Sequence, residues 1–392
     1  MQPNQSFIQS QRGIGDCNLI KGLMPLGDAF CPAAGYTALT HPTERPAMLL
    51  CDFNVNNLFV RYKFGKTFPG DQSGKSGVLD PNVGYLPLYQ KGAFDVFNPE
   101  QRKLGALAIT RGNTVLPDVV CVQEVESLIA LREFNERFLA NAYPYVVVLD
   151  SRDLRQIDVG ILSKYPIDGV TTHVDDMAAG NYIFSRDCLE VRLQLRKSVV
   201  VTLFINHFKS KLALGANEEA RSKERTRANE RRQLQAETVV RLLKARFSAA
   251  AFKSEYFAVL GDFNDTPLAP QLAKLCQKSG LVDALATLAP QERWTHYWKA
   301  KNSVSQLDHV LLSPALAGKL KKNGVSLERR GLGFRSESKK ADGGLLPKQV
   351  RLDAIEDDPN ALSIDFQFER FADVSSSNVA SDHCPLFLSF DL

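Results

Sequence analysis

No stretch of this sequence approaches 18 consecutive apolar residues, so no membrane-spanning helix is expected. No CxxC pair occurs either. The seven cysteines, at 17, 31, 51, 121, 188, 276 and 384, are scattered, which excludes the usual zinc-site spacings. The odd count, with Cys51 and Cys121 inside apolar runs, predicts reduced thiols in the core. The opening residues MQPNQSFIQSQRGIGDC lack the charged-then-apolar order of a signal peptide. These absences point to a reducing, cytoplasmic setting; a leader removed ahead of this start would place the protein outside the cell. Charge of one sign is scarce too. The formal net charge is +4, too small to argue for nucleic acid by itself. Internal repeats and low-complexity tracts are absent.

What is present is the composition of a globular chain of 392 residues, with 44% hydrophobic and 23% charged residues. Residues 1–46, rich in Gly, Pro and polar side chains, read as an irregular arm ahead of a domain spanning 47–392. Strands are predicted at 47–53, 118–123, 145–150, 158–163, 198–206, 256–263, 306–313 and 384–392. Helices are predicted at 99–111, 124–139 and 216–247, with a short one near 268–278. In 124–139 the spacing puts Leu128, Leu131, Phe134 and Phe138 on one face. Stretches 60–98 and 323–378 read as polar, irregular insertions. The mixed order predicts α/β layers rather than a helix bundle or an all-β sandwich. GDQSGKS at 70–76 resembles a phosphate-binding loop. Its glycine spacing is one residue short, Pro69 precedes it and no strand leads into it, so it reads as a surface loop.

Polar residues gather where apolar strands end. Asn54 follows MLLCDF, Glu124 follows DVVCVQ and His207 follows VVVTLFIN. Asp262 and Asn264 end the 256–261 run, Asp308 and His309 adjoin VLLS, and Asp382 and His383 precede the last strand. Each has an ordinary reading alone: Glu124 as a first-turn helix acid, Asn54 as a turn residue, His207 as a structural histidine. Together they form a different picture, because strand ends at one edge of a layered sheet lie close to one another and ligand sites collect there. The inventory is carboxylates, amides and imidazoles without a thiolate cluster. It suits a hard ion such as Mg²⁺ or Mn²⁺. An Asp–His pair suits holding and activating a water. The chemistry this set fits best is metal-assisted attack of water on a phosphate ester.

At this point the sequence resembles a known family. FNVNNLF (53–59), VVCVQEVES (119–127), DVGILSKYPI (158–167), INHFKSK (205–211), LGDFNDTP (260–267), SQLDHVLLS (305–313) and SDHCPLFLSF (381–390) are similar to the ordered motifs of the endonuclease/exonuclease/phosphatase superfamily. INHFKSK, GDFNDTP and SQLDH are most similar to those of bacterial extracellular-type DNases. The resemblance implies a four-layered α/β sandwich, with two packed mixed sheets flanked by helices, built as one domain. It implies Glu124 as the main metal ligand, Asp382 as a further ligand, and Asn54 as a residue orienting the metal or phosphate. Asp262 would align or deprotonate the attacking water, with Asn264 beside it. His383, oriented by Asp308, would contact the scissile phosphate or act as base. His207 would stabilise the transition-state phosphate or protonate the leaving oxygen, with Asp158 as its orienting partner or a simple strand-start residue. Asp265-Thr266-Pro267 reads as turn and helix-cap chemistry.

The identity of the ester is argued from charge. Residues 209–232 carry eight basic side chains, among them Lys209 and Arg227, against four glutamates. A backbone-tracking contact with nucleic acid fits this stretch, as does a solvated helix face with paired charges. Lys209, Arg227, Asn264 and Asp158 are the candidate substrate contacts. The expected activity is a Mg²⁺- or Mn²⁺-dependent nuclease, on DNA in preference to RNA. The alternatives are a phosphodiesterase or phosphatase on a phospholipid headgroup or small molecule, and a catalytically inactive nucleic-acid-binding module. The sphingomyelin-cleaving, inositol-phosphate and abasic-site branches fit less well. The last two carry Trp-Cys-Asp or an Arg where this chain has QLDHV and Gln306.

Overall fold

The computed structural model describes residues 47–59, 62–64, 94–96, 99–153, 155–211, 216–333, 348–353, 362–375 and 378–392. The predicted N-terminal arm, the GDQSGKS stretch and most of the 60–98 insertion lie outside them. In chain order the strands that build the frame are β1 (Ala47–Leu58), β2 (Val119–Val125), β3 (Tyr145–Val148), β4 (Asp158–Ser163), β5 (Ile167–Thr171), β6 (Cys188–Arg196), β7 (Val199–His207), β8 (Tyr256–Asp262), β9 (Val282–Asp283), β10 (His296–Trp298), β11 (Ser303–Ser305), β12 (Asp308–Leu312), β13 (Leu320–Leu327), β14 (Lys348–Asp353), β15 (Leu362–Phe366) and β16 (Leu386–Asp391). The helices packed on them are α1 (Pro99–Ile109), α2 (Leu128–Phe138) and α3 (Glu218–Arg246).

Two six-stranded sheets result, in the orders β13-β16-β1-β2-β4-β3 and β9-β12-β8-β7-β6-β5. Each is antiparallel except for one parallel pair at its centre, β1 with β2 and β7 with β8. The side-chain period of two makes each strand two-faced. Met48 and Leu50 of β1, Val119 and Cys121 of β2, Leu203 and Ile205 of β7, and Ala258 and Leu260 of β8 share one core, which lies between the sheets. The alternate residues face outward. Cys51, Phe53, Val120 and Val122 pack with Leu104, Ile109, Leu131 and Phe134 of α1 and α2. Phe204, Phe257 and Val259 pack with Ala236, Val239 and Leu243 of α3. Fully burying such a side chain stabilises by about 1.5–3 kcal/mol, so both faces of every central strand must be covered. The layers are helix, sheet, sheet, helix, and the four-layered α/β sandwich is the observed architecture.

Several local readings need correction. Helix α2 starts at Leu128, not 124, because Ser127 caps it by accepting the Ala130 N–H. β6 and its neighbour β5 were absent from the sequence reading; from Leu189 on, CLEVRLQLR alternates apolar with polar or charged residues, which breaks up the apolar run. The 323–378 stretch contains β13, β14 and β15. β13 pairs with β16, and β14 and β15 join β10 and β11 in a small third sheet. That sheet covers a satellite core of Trp294, Tyr297, Val304, Leu332 and Val350. Its strands are short and half exposed, so their hydrophobic signal is weak. The predicted 268–278 helix is a 3₁₀ turn, Pro270–Leu272, followed by a π turn, Ala273–Gln277. Cys51 and Cys121 are buried and free. Among the described residues, no helix is long and apolar enough to cross a membrane.

Candidate active site

The inward-facing series of the central strands turns polar at one end. Met48 and Leu50 are continued by Asp52 and Asn54, Leu203 and Ile205 by His207, and Ala258 and Leu260 by Asp262. On β12, Leu312 and Val310 lead to Asp308. Strand pairing sets these ends level, with His207 opposite Asp262 and Asp262 opposite Asp308. The site is therefore the polar end of the inter-sheet core. Gly261 makes the closest approach. Its φ is +122°, and a Cβ there would lie 2.0 Å from the Asn206 carbonyl oxygen.

Two irregularities aim further side chains inward. By simple alternation Glu124 would face the helix side with Val120 and Val122. The β2–β4 register shifts between Gln123 and Val125, and Glu124 takes φ +65°. Its carboxylate accepts the Asn57 N–H at 3.1 Å. The β1–β2 register shifts between Asn54 and Leu58, where Asn56 and Asn57 also have positive φ. Asn264 is a fourth such residue, at +53°. Bulges re-aim side chains, and left-handed non-glycine residues concentrate at functional sites.

Four side chains converge on one oxygen. Asn54 Nδ2 donates to Asp262 Oδ2 at 3.0 Å and Asn264 Nδ2 at 3.1 Å, while His207 Nε2 lies 3.4 Å and His383 Nε2 3.8 Å away. The other Asp262 oxygen accepts the Asn264 N–H at 2.8 Å. His383 Nδ1 donates to Asp308 Oδ2 at 2.8 Å. Ser381 Oγ links the segments, donating to the Asn54 carbonyl and accepting the His383 N–H. Burial pushes the Asp262 carboxyl up to about 7, with the Asp308 charge adding and His383 opposing. Burial also pushes His207 well below its ordinary value, with Arg186 and His383 adding, so it is a neutral imidazole. For His383 burial opposes the cation, but Asp308 and Asp262 outweigh it and hold the pKa well above the ordinary value. The Glu124 carboxyl is raised by burial and by the Asp382 charge.

Glu124, His207, Asp262, Asn264 and His383 line a cleft of about 840 Å³ together with Asn56, Asn57, Asp382 and a set of cations, with Asn54 and Asp308 buried behind them. The structure thus brings together Asn54, Glu124, His207, Asp262, Asn264, Asp308, Asp382 and His383. Other predicted residues stand elsewhere. Asp158 accepts the N–H and hydroxyl of Ser151 and lines a separate depression with Glu126 and Asp153. It does not orient His207, whose Nδ1 is buried without a partner. Lys209 contributes its backbone, whose N–H donates to Gln235 Oε1 and whose carbonyl accepts from Arg232. Arg227 is on the exposed face of α3; Lys211 and Arg225 reach the cleft instead. Much of the remaining charge on α3 is paired within the helix, as in Lys223–Glu219 and Arg221–Glu218. Asp265 is not a cap: it is buried between Lys211 Nζ at 2.7 Å and Arg232 Nε at 3.1 Å. His309 is structural, stacked on Phe263 and donating to the Asp265 carbonyl.

Sequence reasoning missed Asn56, Asn57, Arg186 and His296. Only FNVNNLF, with three asparagines in seven residues, carried a local signal. Arg186 is buried, donates to Asp153 and to the Phe208 carbonyl, and also lines the cleft. A divalent ion fits the donor set. Ligating atoms of His296, Asp382 and His383 lie within 4.8 Å of one another, as do those of Asp262, Asp308 and His383. Asp308 Oδ1 is buried without a partner.

No curated protein matches the sequence. Solved structures similar to the chain include truncated TDP2 from Caenorhabditis elegans, at 14% identity over 88% of this chain and 98% of that one, with a TM-score of 0.45. Beta toxin from Staphylococcus aureus is 15% identical over 88% of this chain and all 100% of its own, with a TM-score of 0.47. The 3′ phosphatase NExo from Neisseria, solved with product DNA hairpin, is 16% identical over 88% and 100%, with a TM-score of 0.44. Residues 102–325, the stretch that carries Glu124, His207, Asp262, Asn264 and Asp308, match the model of the Endonuclease/Exonuclease/phosphatase family, and the chain belongs to that family.

Proposed function

We propose that the protein is a divalent-metal-dependent nuclease that hydrolyses phosphodiester bonds in nucleic acid, DNA in preference to RNA. The observation that carries this reading is the convergence of Asn54, Asn264, His207 and His383 on one oxygen of Asp262. A carboxylate fixed by two amides is placed to hold a water and take its proton. His383, braced by Asp308, donates to the phosphate oxygen on which charge develops, and neutral His207 donates from the neighbouring strand. Glu124 and Asp382 would hold Mg²⁺ or Mn²⁺, which neutralises charge on the phosphate and the leaving oxygen.

Nucleic acid as the substrate is supported by the rim of the cleft. Arg155 comes from the loop between β3 and β4 of the first sheet, Arg186 and Lys211 from loops beside β6 and β7 of the second, Arg225 from α3, and Lys301 and Arg351 from the small third sheet. Several are tethered by carboxylates, as Arg225 is by Glu218 and Arg351 by Asp353. Tethering fixes them as a spaced series suited to successive phosphates. Trp298 lies in the same cleft, 42% exposed, an aromatic face of the kind on which bases stack.

The test is digestion of end-labelled single- and double-stranded DNA with Mg²⁺ or Mn²⁺, beside D262N. Cleavage should vanish with EDTA and fall roughly 10²-fold or more in the variant, the scale for losing a positioned acid–base group. Failure on both DNA forms, with Asp262-dependent hydrolysis of RNA or a phospholipid headgroup ester, would move the assignment to that substrate.

A further inference from the structure

His296 belongs to none of the sequence motifs, yet backbone pairing sets it beside Asp382 and His383. It bridges to His383, and on either side the Tyr297 N–H donates to the Asp382 carbonyl at 2.9 Å and the Cys384 N–H to the Thr295 carbonyl at 2.8 Å. This ladder fixes where the imidazole goes. Its Nε2 lies 3.7 Å from Asp382 Oδ2, too far for a hydrogen bond. In a six-coordinate ion with bonds of about 2.1 Å, cis ligands lie about 3.0 Å apart and trans ligands about 4.2 Å. The observed separation falls between these values. Asp382 is also braced from behind: Asn56 Nδ2 donates to its Oδ1 at 3.3 Å, leaving Oδ2 for the His296 side. Ligating carboxylates are held in this way. His383 turns Nδ1 to Asp308, and the ligating atoms of His296 and Asp382 lie within 4.8 Å of one another and of His383, close enough to share an ion.

We propose that His296 is a nitrogen ligand that joins Asp382 in holding a divalent cation in the cleft and tunes the site toward Mn²⁺ over Mg²⁺. The inference rests on the metal-dependent reading above. Mg²⁺ takes oxygen ligands and gives up water reluctantly, whereas first-row transition ions gain from an imidazole. With Glu124 and Asp382 alone, the site would offer only oxygens and little discrimination. The nitrogen supplies it.

The experiment is binding of Mn²⁺ or Mg²⁺ alone to the full chain by calorimetry, in wild type, H296Q and H296N. Pulsed EPR of the Mn²⁺-loaded proteins reads nitrogen coupling, and thermal melts check the fold. H296Q should weaken Mn²⁺ binding roughly tenfold or more while changing Mg²⁺ binding far less. The imidazole nitrogen coupling should weaken or vanish with it. Two results overturn the inference: wild type without nitrogen coupling, or a folded variant with unchanged Mn²⁺ affinity and coupling. If that variant also shows a raised KM, His296 contacts the substrate phosphate instead. Wild type that binds neither ion overturns the metal-dependent reading itself, a different failure.

Discussion

Asp262 and Asp265 stand three residues apart in the same loop, and both are buried, at 1% and 4% exposure. Asp265 is held by Lys211 and Arg232, one cation on each oxygen. Asp262 meets two amides and two imidazoles and no Lys or Arg among its hydrogen-bond and ion-pair partners. A permanent cation fixes a carboxylate in its charged form. Amides and imidazoles orient it and leave it able to take up a proton. The first environment holds α3 and the loop after β7 to the end of β8. The second makes a reactive group.

The largest break in this comparison should come from D265A. It leaves Arg232, 1% exposed, without its carboxylate, and should cost about 3–5 kcal/mol in denaturant unfolding while the folded fraction keeps its specific activity. D262N should do the reverse: turnover falls roughly 10²-fold or more, and the melting temperature stays at or above that of wild type because a buried charge is gone.

Asp158 sharpens the contrast as a third buried carboxylate, with Ser151 and no cation among its hydrogen-bond partners. Burial pushes its carboxyl up to about 6. The folded state therefore binds this proton more tightly than the unfolded chain does. The stabilisation is complete below pH of about 4 and is lost as pH rises through 6. Relative to D158N, wild type should lose about 2 kcal/mol of unfolding free energy between pH 4 and pH 7.5. The smallest effect should be that of R232L/D265L, which replaces the buried pair with apolar volume and should unfold within about 1 kcal/mol of wild type. A double variant as unstable as D265A would show that something other than charge pairing holds this corner.

The central strands were legible in the sequence because their apolar runs are long, and the polar residues at their ends marked the site. Asn54, Glu124, His207, Asp262, Asn264, Asp308 and His383 all meet where the runs stop. The reason Glu124 faces the cleft was not legible, since a bulge depends on the register of a partner strand. Asp265 was misread as a turn residue because Lys211 and Arg232 reach it from the loop after β7 and from α3. Arg186 and His296 carry no local signal; tertiary pairing alone places them. The third sheet escaped notice because strands such as LSIDF are too short and too polar to stand out.

Gly261 places an asymmetric limit on how this protein can change. His207 and Asp262 sit opposite each other because the strand before Asp262 approaches the Asn206 carbonyl more closely than any side chain allows. A library randomised at position 261 and selected for activity should return glycine alone. One randomised jointly at 232 and 265 should return many matched apolar pairs. The spacing of the reacting groups is thus set at a backbone position where drift is closed, while the scaffold beside it stays open to exchange.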